Sequence, residues 1–250
     1  MGNCLQMVKI KNIAIVFIFF VLISGCTKNK CVHGTGEIKT ETRKIENFTE
    51  IIAEKNINIF LLPDSSNQLT IEAGEKMLPF IETNVVNGTL YLTNNSKCNF
   101  LRTYKKQITI TVPAARLKKI SHTGSGNITS SSTLFLPVFK MDITDGSGSY
   151  NIRLQSDSVF VWQHTGPADF TFSGKTNYLY VYTGANGWFY MDKLSANNVH
   201  VNHNGTGDIL VWAQNSLLIE LYNMGNVQYK GNTKITVSAH TGSGKILRLP

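Results

Sequence analysis

The chain has 250 residues, of which 24 are Lys or Arg and 16 are Asp or Glu, and its formal net charge is +8. The basic residues are dispersed, with Lys105-Lys106 and Lys118-Lys119 as the densest pairs, whereas a nucleic-acid-binding surface shows a stripe of them. Charge therefore argues against a nucleic-acid partner. The length is compatible with a single all-β domain of about 220 residues after a short N-terminal segment.

The first residues are typical of an export signal. Lys9 and Lys11 precede an unbroken apolar run over 13–23, which is shorter than the ~20 residues that span a bilayer. The run ends in Leu22-Ile23-Ser24-Gly25-Cys26, which resembles the bacterial lipobox, where the cysteine is lipidated and becomes the mature N-terminus. We therefore predict that the chain is a lipoprotein with lipid attachment at Cys26 and that this lipid is its contact with the membrane.

The N-terminal segment divides into a signal peptide, 1–25, and a tether, 26–36. Removal of the signal takes two lysines and no acidic residue, so that 22 basic residues remain against 16 acidic ones and the formal charge falls to +6. Thr27, rather than Asp, follows the cysteine, which by analogy favours the outer membrane. The expected location is the outer membrane, on its periplasmic face or on the cell surface. Translation starts at either Met1 or Met7.

Two further cysteines, Cys31 and Cys98, follow the lipid attachment residue. In an oxidising compartment this isolated pair is a disulfide candidate, and such a bridge contributes on the order of 4 kcal/mol in the chain-entropy model. Two unpaired thiols are the alternative. No C-x-x-C pair occurs, and neither a metal nor a cofactor is predicted.

The region 37–119 is predicted to consist of strands and turns. Asn87-Gly88 lies between two apolar runs and is the clearest hairpin signal in the chain. A turn cluster over 63–67 separates two further strands, and 107–112 alternates apolar with polar residues. Because the terminal coil of a solenoid needs shielding, we expect this region to cap the regular coils that follow it.

Residues 120–250 carry one pattern that recurs at a step of about twenty residues. Alternation of apolar residues within each run predicts a strand with one buried face, and the fixed step between runs predicts a solenoid of stacked coils. The two buried columns are predicted to be Phe139, Val159, Leu179, Val199, Ile219 and, two residues later, Met141, Val161, Val181, Val201, Leu221.

A glycine follows the first strand of each coil. Glycine permits the positive φ that a sharp corner between parallel strands needs. Each of these glycines leads into a strand, whereas a phosphate-binding loop opens a helix, so a nucleotide site is not indicated. The corner glycines are Gly124, Gly146, Gly166, Gly184, Gly205, Gly225 and Gly242.

Three motifs together resemble the family called putative auto-transporter adhesin, head GIN domain. They are the Gly-Ser-Gly corners, the run Arg43-Lys44-Ile45-Glu46-Asn47-Phe48-Thr49-Glu50-Ile51, and Asn87-Gly88-Thr89-Leu90. The resemblance covers approximately Glu37 to Leu249. It implies a right-handed, single-stranded parallel β-helix over 37–250, with coils of about 20 residues and a less regular N-terminal β cap, and an adhesin-like role at the cell envelope. The family has no agreed catalytic residues, so none is carried over.

Histidines stand two residues before four of the corner glycines. Since they fall mostly on alternate coils, we expect neighbouring ones to be ~10 Å apart, which is too far to share a zinc ion. They are interpreted as polar residues at turns. The four are His122, His164, His203 and His240.

Carboxylates are too sparse for a catalytic pair. A polysaccharide lyase or hydrolase needs two or more convergent carboxylates, and Asp142 and Asp145 are the only close pair on this sheet. In the next coil, the positions equivalent to Asp142 and Asp145 are occupied by Trp162 and Thr165. We therefore predict that the chain is not an enzyme.

Aromatic residues alternate with the buried columns and are predicted to project outward. A contiguous exposed apolar patch usually marks a contact surface, and flat rings stack on the C–H faces of sugars, so a glycan or a protein is the expected ligand. The alternatives are a structural envelope protein in which an oligomer buries this face, or rings that only stabilise the stack. Trp188 follows a corner and is either core or rim. The candidate ligand-binding residues are Phe160, Trp162, Tyr180, Tyr182 and Tyr222.

Overall fold

In the computed structural model, which describes residues 35–96 and 107–250, seventeen strands wind into one β-solenoid. The all-β class and the coil spacing of about 20 residues, repeated over about six turns, are confirmed. One 3-10 turn, Leu78–Phe80, is the only helical element in the described ranges.

The strands follow one another along the chain with short connections. Their bounds are β1 Ile38–Lys44, β2 Glu50–Glu54, β3 Ile57–Leu62, β4 Gln68–Gly74, β5 Ile81–Val86, β6 Thr89–Asn94, β7 Ile108–Pro113, β8 Lys119–Thr123, β9 Ile128–Ser130, β10 Leu134–Ile143, β11 Ser149–Gln163, β12 Asp169–Thr183, β13 Phe189–His203, β14 Ile209–Leu221, β15 Val227–Lys230, β16 Lys234–His240 and β17 Ile246–Arg248.

The regular coils stack because each long strand pairs in parallel with the next one along the chain. The first residues of β11 continue the ladder of β9 and its last residues continue the ladder of β10, so one strand belongs to two faces of the coil. Phe139, Val159, Leu179 and Val199 align in register and are at most 2% exposed. The predicted buried column is therefore confirmed over these four strands.

The last member of each predicted column is wrong. Val199 pairs with Leu217 rather than with Ile219, which pairs instead with Val201. The register shifts because β13 carries extra residues between Met191 and Ser195 that β14 lacks. Residues near the end of β14 therefore lie two positions along β13 from their predicted neighbours.

The predicted hairpin at Asn87-Gly88 is confirmed. β5 and β6 pair in antiparallel fashion on either side of it, and φ is +50° at Asn87 and +77° at Gly88. Two successive positive φ values are the requirement of a type I′ turn, which Asn-Gly meets at little steric cost. β5 consequently covers one edge of β6.

The N-terminal coils do not stack in chain order. β2 lies between β6 and β8, and β3 lies between β7 and β9, all in parallel. β4 runs antiparallel to both β7 and β1. Antiparallel strands therefore pair with the outer edges of β6 and β7, which are the edges that a parallel coil would leave open.

Most of the corner glycines are required because two coils approach each other closely there, and not because φ is positive. The predicted reason is therefore wrong for most of them. Of the seven, Gly124 and Gly166 have a positive φ. At Gly205, a Cβ would lie 2.2 Å from the carbonyl oxygen of Ala185 in the preceding coil, and Gly242 has a similar clash. Carbonyl groups of one coil thus occupy the space that side chains of the next would need.

One inward column is polar. Gln163, Thr183 and His203 align in register on successive strands and are fully buried. Thr183 Oγ1 donates to Gln163 Oε1 at 3.0 Å, and Gln163 Nε2 donates to the carbonyl oxygens of Gly166 and Ala168. This column holds the corner loops to the strands, because it satisfies backbone groups that the ladder leaves unpaired.

Candidate functional site

Five half-buried aromatic side chains cover the outer surface of the last halves of β11 and β12, and we call this surface the aromatic face. The residues between them, such as Val161 and Val181, point into the core and are fully buried. Period-2 alternation along each strand therefore forces the rings outward. The aromatic face comprises Phe160, Trp162, Tyr178, Tyr180 and Tyr182.

The rings of this face contact one another along and between the strands. Phe160 and Trp162 lie with nearly parallel planes, their centroids 5.7 Å apart. Tyr180 on the next strand is 6.0 Å from Trp162 and 6.4 Å from Phe160, and Tyr178 is 5.8 Å from Phe160. These separations fall within the range of favourable aromatic pairs, so the rings hold one another in place.

A carboxylate borders the face on the β10 side. Asp142 accepts from Lys119 Nζ at 3.2 Å and contacts His164 Nε2 at 3.0 Å. Together with Lys140 and Trp162, these residues line an open groove of about 480 Å³. Donors and acceptors therefore lie beside an aromatic ring, which is an arrangement that can orient a small polar ligand.

A second carboxylate borders the face on the β14 side. Glu220 Oε1 lies 2.7 Å from His200 Nε2, while its Oε2 accepts from Asn202 Nδ2 and from the Tyr222 hydroxyl, each at 3.0 Å. His200 in turn meets the edge of Tyr180 at 5.0 Å. The carboxylate thus orders three neighbouring side chains at the rim of the aromatic face.

The phenols at the face keep their protons at neutral pH. Burial raises the pKa of Tyr178, and burial followed by the Glu220 charge raises the pKa of Tyr180. At Tyr222 the hydrogen bond to Glu220 is the largest cause of a raised pKa. Since a free phenol titrates near 10, all three stay protonated: the hydroxyls of Tyr178 and Tyr180 are available as hydrogen-bond donors, while that of Tyr222 already donates to Glu220.

The structure brings together four of the five predicted candidates. Tyr222 was expected in register with Asn202, in the next coil, but Glu220 occupies that position and Tyr222 follows the end of β14. It reaches the site only through its hydrogen bond to Glu220. The two-residue register shift in β13 is the physical reason.

Tyr178 and His164 belong to the site but were not predicted. Tyr178 precedes Tyr180 by two residues on β12, so period-2 alternation alone identifies it as an outward residue. His164 follows β11 and packs against Tyr182 with tilted ring planes, their centroids 5.7 Å apart. Its place depends on the corner after the strand, which has no regular pattern in the sequence.

The four histidines do not form a metal site. His122 and His203 are buried in one register column, four strand spacings apart. The exposed His240 aligns with that column two spacings beyond His203, whereas His164 lies one residue outside it. Two spacings correspond to ~10 Å. Within 35–96 and 107–250, no group of three or more His, Cys, Asp or Glu side chains is arranged to hold a metal ion.

Trp188 is a rim residue rather than a core residue. It is 40% exposed, as is Tyr190, and the two rings lie 6.0 Å apart with nearly parallel planes. Asp169 fixes the corner by accepting from the Trp188 backbone N–H at 2.9 Å. This pair lies on β13 and its corner, outside the aromatic face.

The remaining predicted site residues, Cys26, Cys31 and Cys98, lie outside the described residues, as does the signal peptide. No helix in the part of the chain that the structure describes has the length and apolar character needed to cross a membrane.

A family model described as "Putative auto-transporter adhesin, head GIN domain" matches residues 47–233. This match covers more than half of the chain and includes the whole aromatic face. A comparison with curated proteins finds no match.

Several crystal structures share the fold. A putative adhesin from Bacteroides fragilis NCTC 9343 is 24% identical over 85% of this chain and 97% of that chain, with a TM-score of 0.77. A putative lipid binding protein from Parabacteroides distasonis ATCC 8503 is 19% identical over 87% and 98%, with a TM-score of 0.66. A putative adhesin from Parabacteroides merdae ATCC 43184 is 15% identical over 87% and 98%, with a TM-score of 0.61.

Proposed function

The chain belongs to the family of the putative auto-transporter adhesin, head GIN domain, and from this membership we infer that it is a cell-envelope protein that binds a glycan, without catalysis, on its aromatic face. The observation that carries the proposal is the cluster of five contiguous, half-buried rings between two hydrogen-bonded carboxylates. The core does not require aromatic residues at these outward positions.

Ring chemistry supports a sugar as the ligand. The half-buried rings of Trp162 and Tyr180 are held by their neighbours at 5.7 to 6.4 Å, so little side-chain freedom is lost when a ligand binds. An aromatic ring stacks on the apolar C–H face of a sugar, and the phenol hydroxyls beside it accept and donate hydrogen bonds.

The bordering carboxylates support binding rather than hydrolysis. Asp142 and Glu220 occupy the same register column four strands apart, which corresponds to ~19 Å. Paired catalytic carboxylates of glycosidases are about 5 to 9.5 Å apart. Each carboxylate is also engaged with several side chains, and so can orient a ligand hydroxyl.

The names of the structural neighbours agree with a binding role, since two of those compared are called putative adhesins and one a putative lipid binding protein. A structural envelope protein whose aromatic face is an oligomer interface is the second candidate. Light scattering of the purified chain separates the two, because a strict monomer leaves the face open to a ligand.

We predict that Trp162→Ala weakens glycan binding by about tenfold and that adding Tyr180→Ala removes detectable binding. Loss of a central, well-packed aromatic contact typically costs about 1 to 2 kcal/mol. A glycan array identifies a ligand for the purified full chain, and titration calorimetry with that ligand measures the change in Kd.

Trp188→Ala is the matched control, because Trp188 is an exposed tryptophan outside the aromatic face. It should leave Kd within about twofold. Circular dichroism checks that every variant keeps its β structure. Binding that survives the Trp162 and Tyr180 substitutions, or that needs Trp188 equally, would refute the proposed site. Turnover of a bound polysaccharide that is lost in Asp142→Asn would instead support an enzyme.

We further propose that the chain is an outer-membrane lipoprotein anchored through Cys26. The lipobox-like sequence before Cys26 supports this. Attachment of two or more acyl chains is sufficient for stable membrane anchoring. In cells grown with labelled palmitate, the chain should incorporate label and sediment with outer membranes, and Cys26→Ser should abolish both.

Cys4→Ser is the control, since Cys4 lies within the same leader but ahead of the predicted cleavage site. It should leave labelling unchanged. Labelling that persists in Cys26→Ser would count against the anchor without affecting the glycan proposal.

A further inference from the structure

A second concave surface lies at the bend in β10 to β13, before the aromatic face begins. It is an open groove of about 540 Å³, which is within the size range of ligand sites. One rim is formed by four residues aligned in register on successive strands, namely Phe135, Gln155, Lys175 and Ser195. The groove therefore runs along the solenoid axis for three strand spacings, or ~14 Å.

The rims offer hydrogen-bonding groups that the fold does not use. Gln155, Asp157 and Lys175 make no side-chain hydrogen bond or ion pair with any residue in the described ranges. Asn197 Nδ2 donates to Asn177 Oδ1 at 3.0 Å, which leaves Asn177 Nδ2 as a donor and Asn197 Oδ1 as an acceptor. Polar rim groups thus recur on β11, β12 and β13 at the strand spacing.

The base of the groove is already satisfied. Ser156 Oγ lies 3.0 Å from the carbonyl oxygen of Ser158 and 3.2 Å from that of Pro137, which share its one proton, and Thr176 Oγ1 donates to the carbonyl oxygen of Tyr178 at 3.0 Å. These hydroxyls hold the bend in the strands rather than face a ligand. Recognition therefore falls to the rims, which remain rigid because the bend beneath them is fixed.

Phe135 stands at one end of the groove and is 66% exposed, more than any other large hydrophobic side chain in the described ranges. Its strand neighbours Leu134 and Leu136 are buried, so the ring is anchored while its surface faces solvent. An exposed ring at the end of a polar groove offers a stacking surface for an apolar ligand face.

We propose that this groove binds a neutral, linear polysaccharide that lies along the solenoid axis, with Phe135 stacked on one sugar ring. One carboxylate, Asp157, and one ammonium group, Lys175, balance each other in charge, so the lining does not select a polyanion. The coil spacing is close to the length of one pyranose unit, so successive sugars meet equivalent rim groups. This site is separate from the aromatic face and does not depend on the function proposed for that face.

The test is affinity electrophoresis of the purified full chain in gels that contain hydroxyethyl cellulose, galactomannan or arabinoxylan. Polygalacturonate is the anionic comparison, and added salt screens its attraction to the basic chain. At least one neutral polysaccharide should retard the chain, and polygalacturonate should not. Phe135→Ala and Asn177→Ala should each raise the apparent Kd for that polysaccharide by about tenfold.

Phe80→Ala is the matched control, because Phe80 is an exposed phenylalanine in the 3-10 turn, far from β10 in sequence; it should leave retardation unchanged. Melting temperatures show that the variants remain folded. The proposal is overturned if no neutral polysaccharide retards the chain, if polygalacturonate alone does, or if Phe135→Ala has no effect. Retardation that is lost in Trp162→Ala but kept in Phe135→Ala assigns the binding to the aromatic face and also overturns it.

Discussion

Lowering the pH from 7 to 4.5 is expected to reduce the free energy of unfolding by about 5 kcal/mol through two buried histidines. His122 is 1% exposed and His203 is fully buried. Burial lowers the pKa of each to about 4 from an ordinary value of 6.5. At His203, the Gly207 backbone and then the nearby Asp208 charge oppose this lowering of the pKa without overcoming it.

The hydrogen bond that the His203 ring accepts favours its neutral form. His203 Nδ1 accepts the Gly205 backbone N–H at 3.1 Å, so a proton on Nδ1 would face another proton. His122 Nδ1 lies 2.7 Å from the Tyr150 hydroxyl. The Nε2 atom of each ring is buried with no hydrogen-bond partner among the described residues, so no acceptor there offsets the cost of burying a charged ring.

The direction of the pH effect follows from proton linkage. Between pH 6.5 and about 4, the unfolded chain binds a proton at each of these histidines and the folded chain does not. Stability therefore falls as the pH falls through this window and levels off below it. Each histidine accounts for about 2 to 3 kcal/mol of the loss.

Urea unfolding at pH 7 and pH 4.5 measures this loss. His203→Gln should remove about half of it, and glutamine suits the position because Gln163 occupies the same inward column two strands earlier. His164→Gln is the control, since this histidine is exposed. The quantity compared is the difference in free energy of unfolding between pH 7 and pH 4.5, so a loss of stability that is equal at both pH values does not affect it. An unchanged pH dependence in His203→Gln would contradict the prediction.

Gly207→Ala is expected to destabilise the fold by about 3 kcal/mol, because it overpacks a contact between coils. A Cβ at this position would lie 2.1 Å from the carbonyl oxygen of Gly187 and 2.8 Å from that of Asn186. Both obstacles are backbone atoms in the coil below. Relief would require the two coils to separate, which would weaken the parallel ladder on either side.

Gly184→Ala is the matched control. It changes a corner glycine whose Cβ would lie no closer than 3.2 Å to the Tyr182 hydroxyl and 3.3 Å to the His164 carbonyl oxygen, contacts that shifts of a few tenths of an ångström relieve. In thermal unfolding, Gly207→Ala should lower Tm by roughly 6 to 12 °C, and Gly184→Ala by much less. Equal shifts for the two variants would show that loss of backbone freedom, rather than coil spacing, governs these positions.

The buried columns were predictable because burial imposes a period of two on every strand and the solenoid imposes one step between strands. Both constraints act locally and are visible in Val159, Leu179 and Val199. The prediction fails at Leu217 because β13 carries residues between Met191 and Ser195 that have no counterpart in β14, so the register of the two strands shifts. Nor does any local pattern indicate that β2 enters between β6 and β8, since strand order is decided by tertiary packing.

The candidate site was predictable to the same extent. Phe160, Trp162, Tyr180 and Tyr182 follow from alternation in β11 and β12. The partners of Glu220 do not, because they depend on the shifted register. The groove beside Phe135 was missed altogether, since its polar rim residues resemble any solvated bend until the register aligns them.

The interleaving of β2 between β6 and β8 bears on how the chain acquires its structure during synthesis. β2 finds both of its neighbours only after Thr123 has been made, so the first coil waits for strands that are synthesised much later. Such pairing between distant segments is slow, because a long loop must close before any contact forms. From β10 onward, each strand joins one that is already in place. We therefore expect pairing of the N-terminal coils to be the slow step of folding, with the coils that carry the aromatic face added to them one at a time.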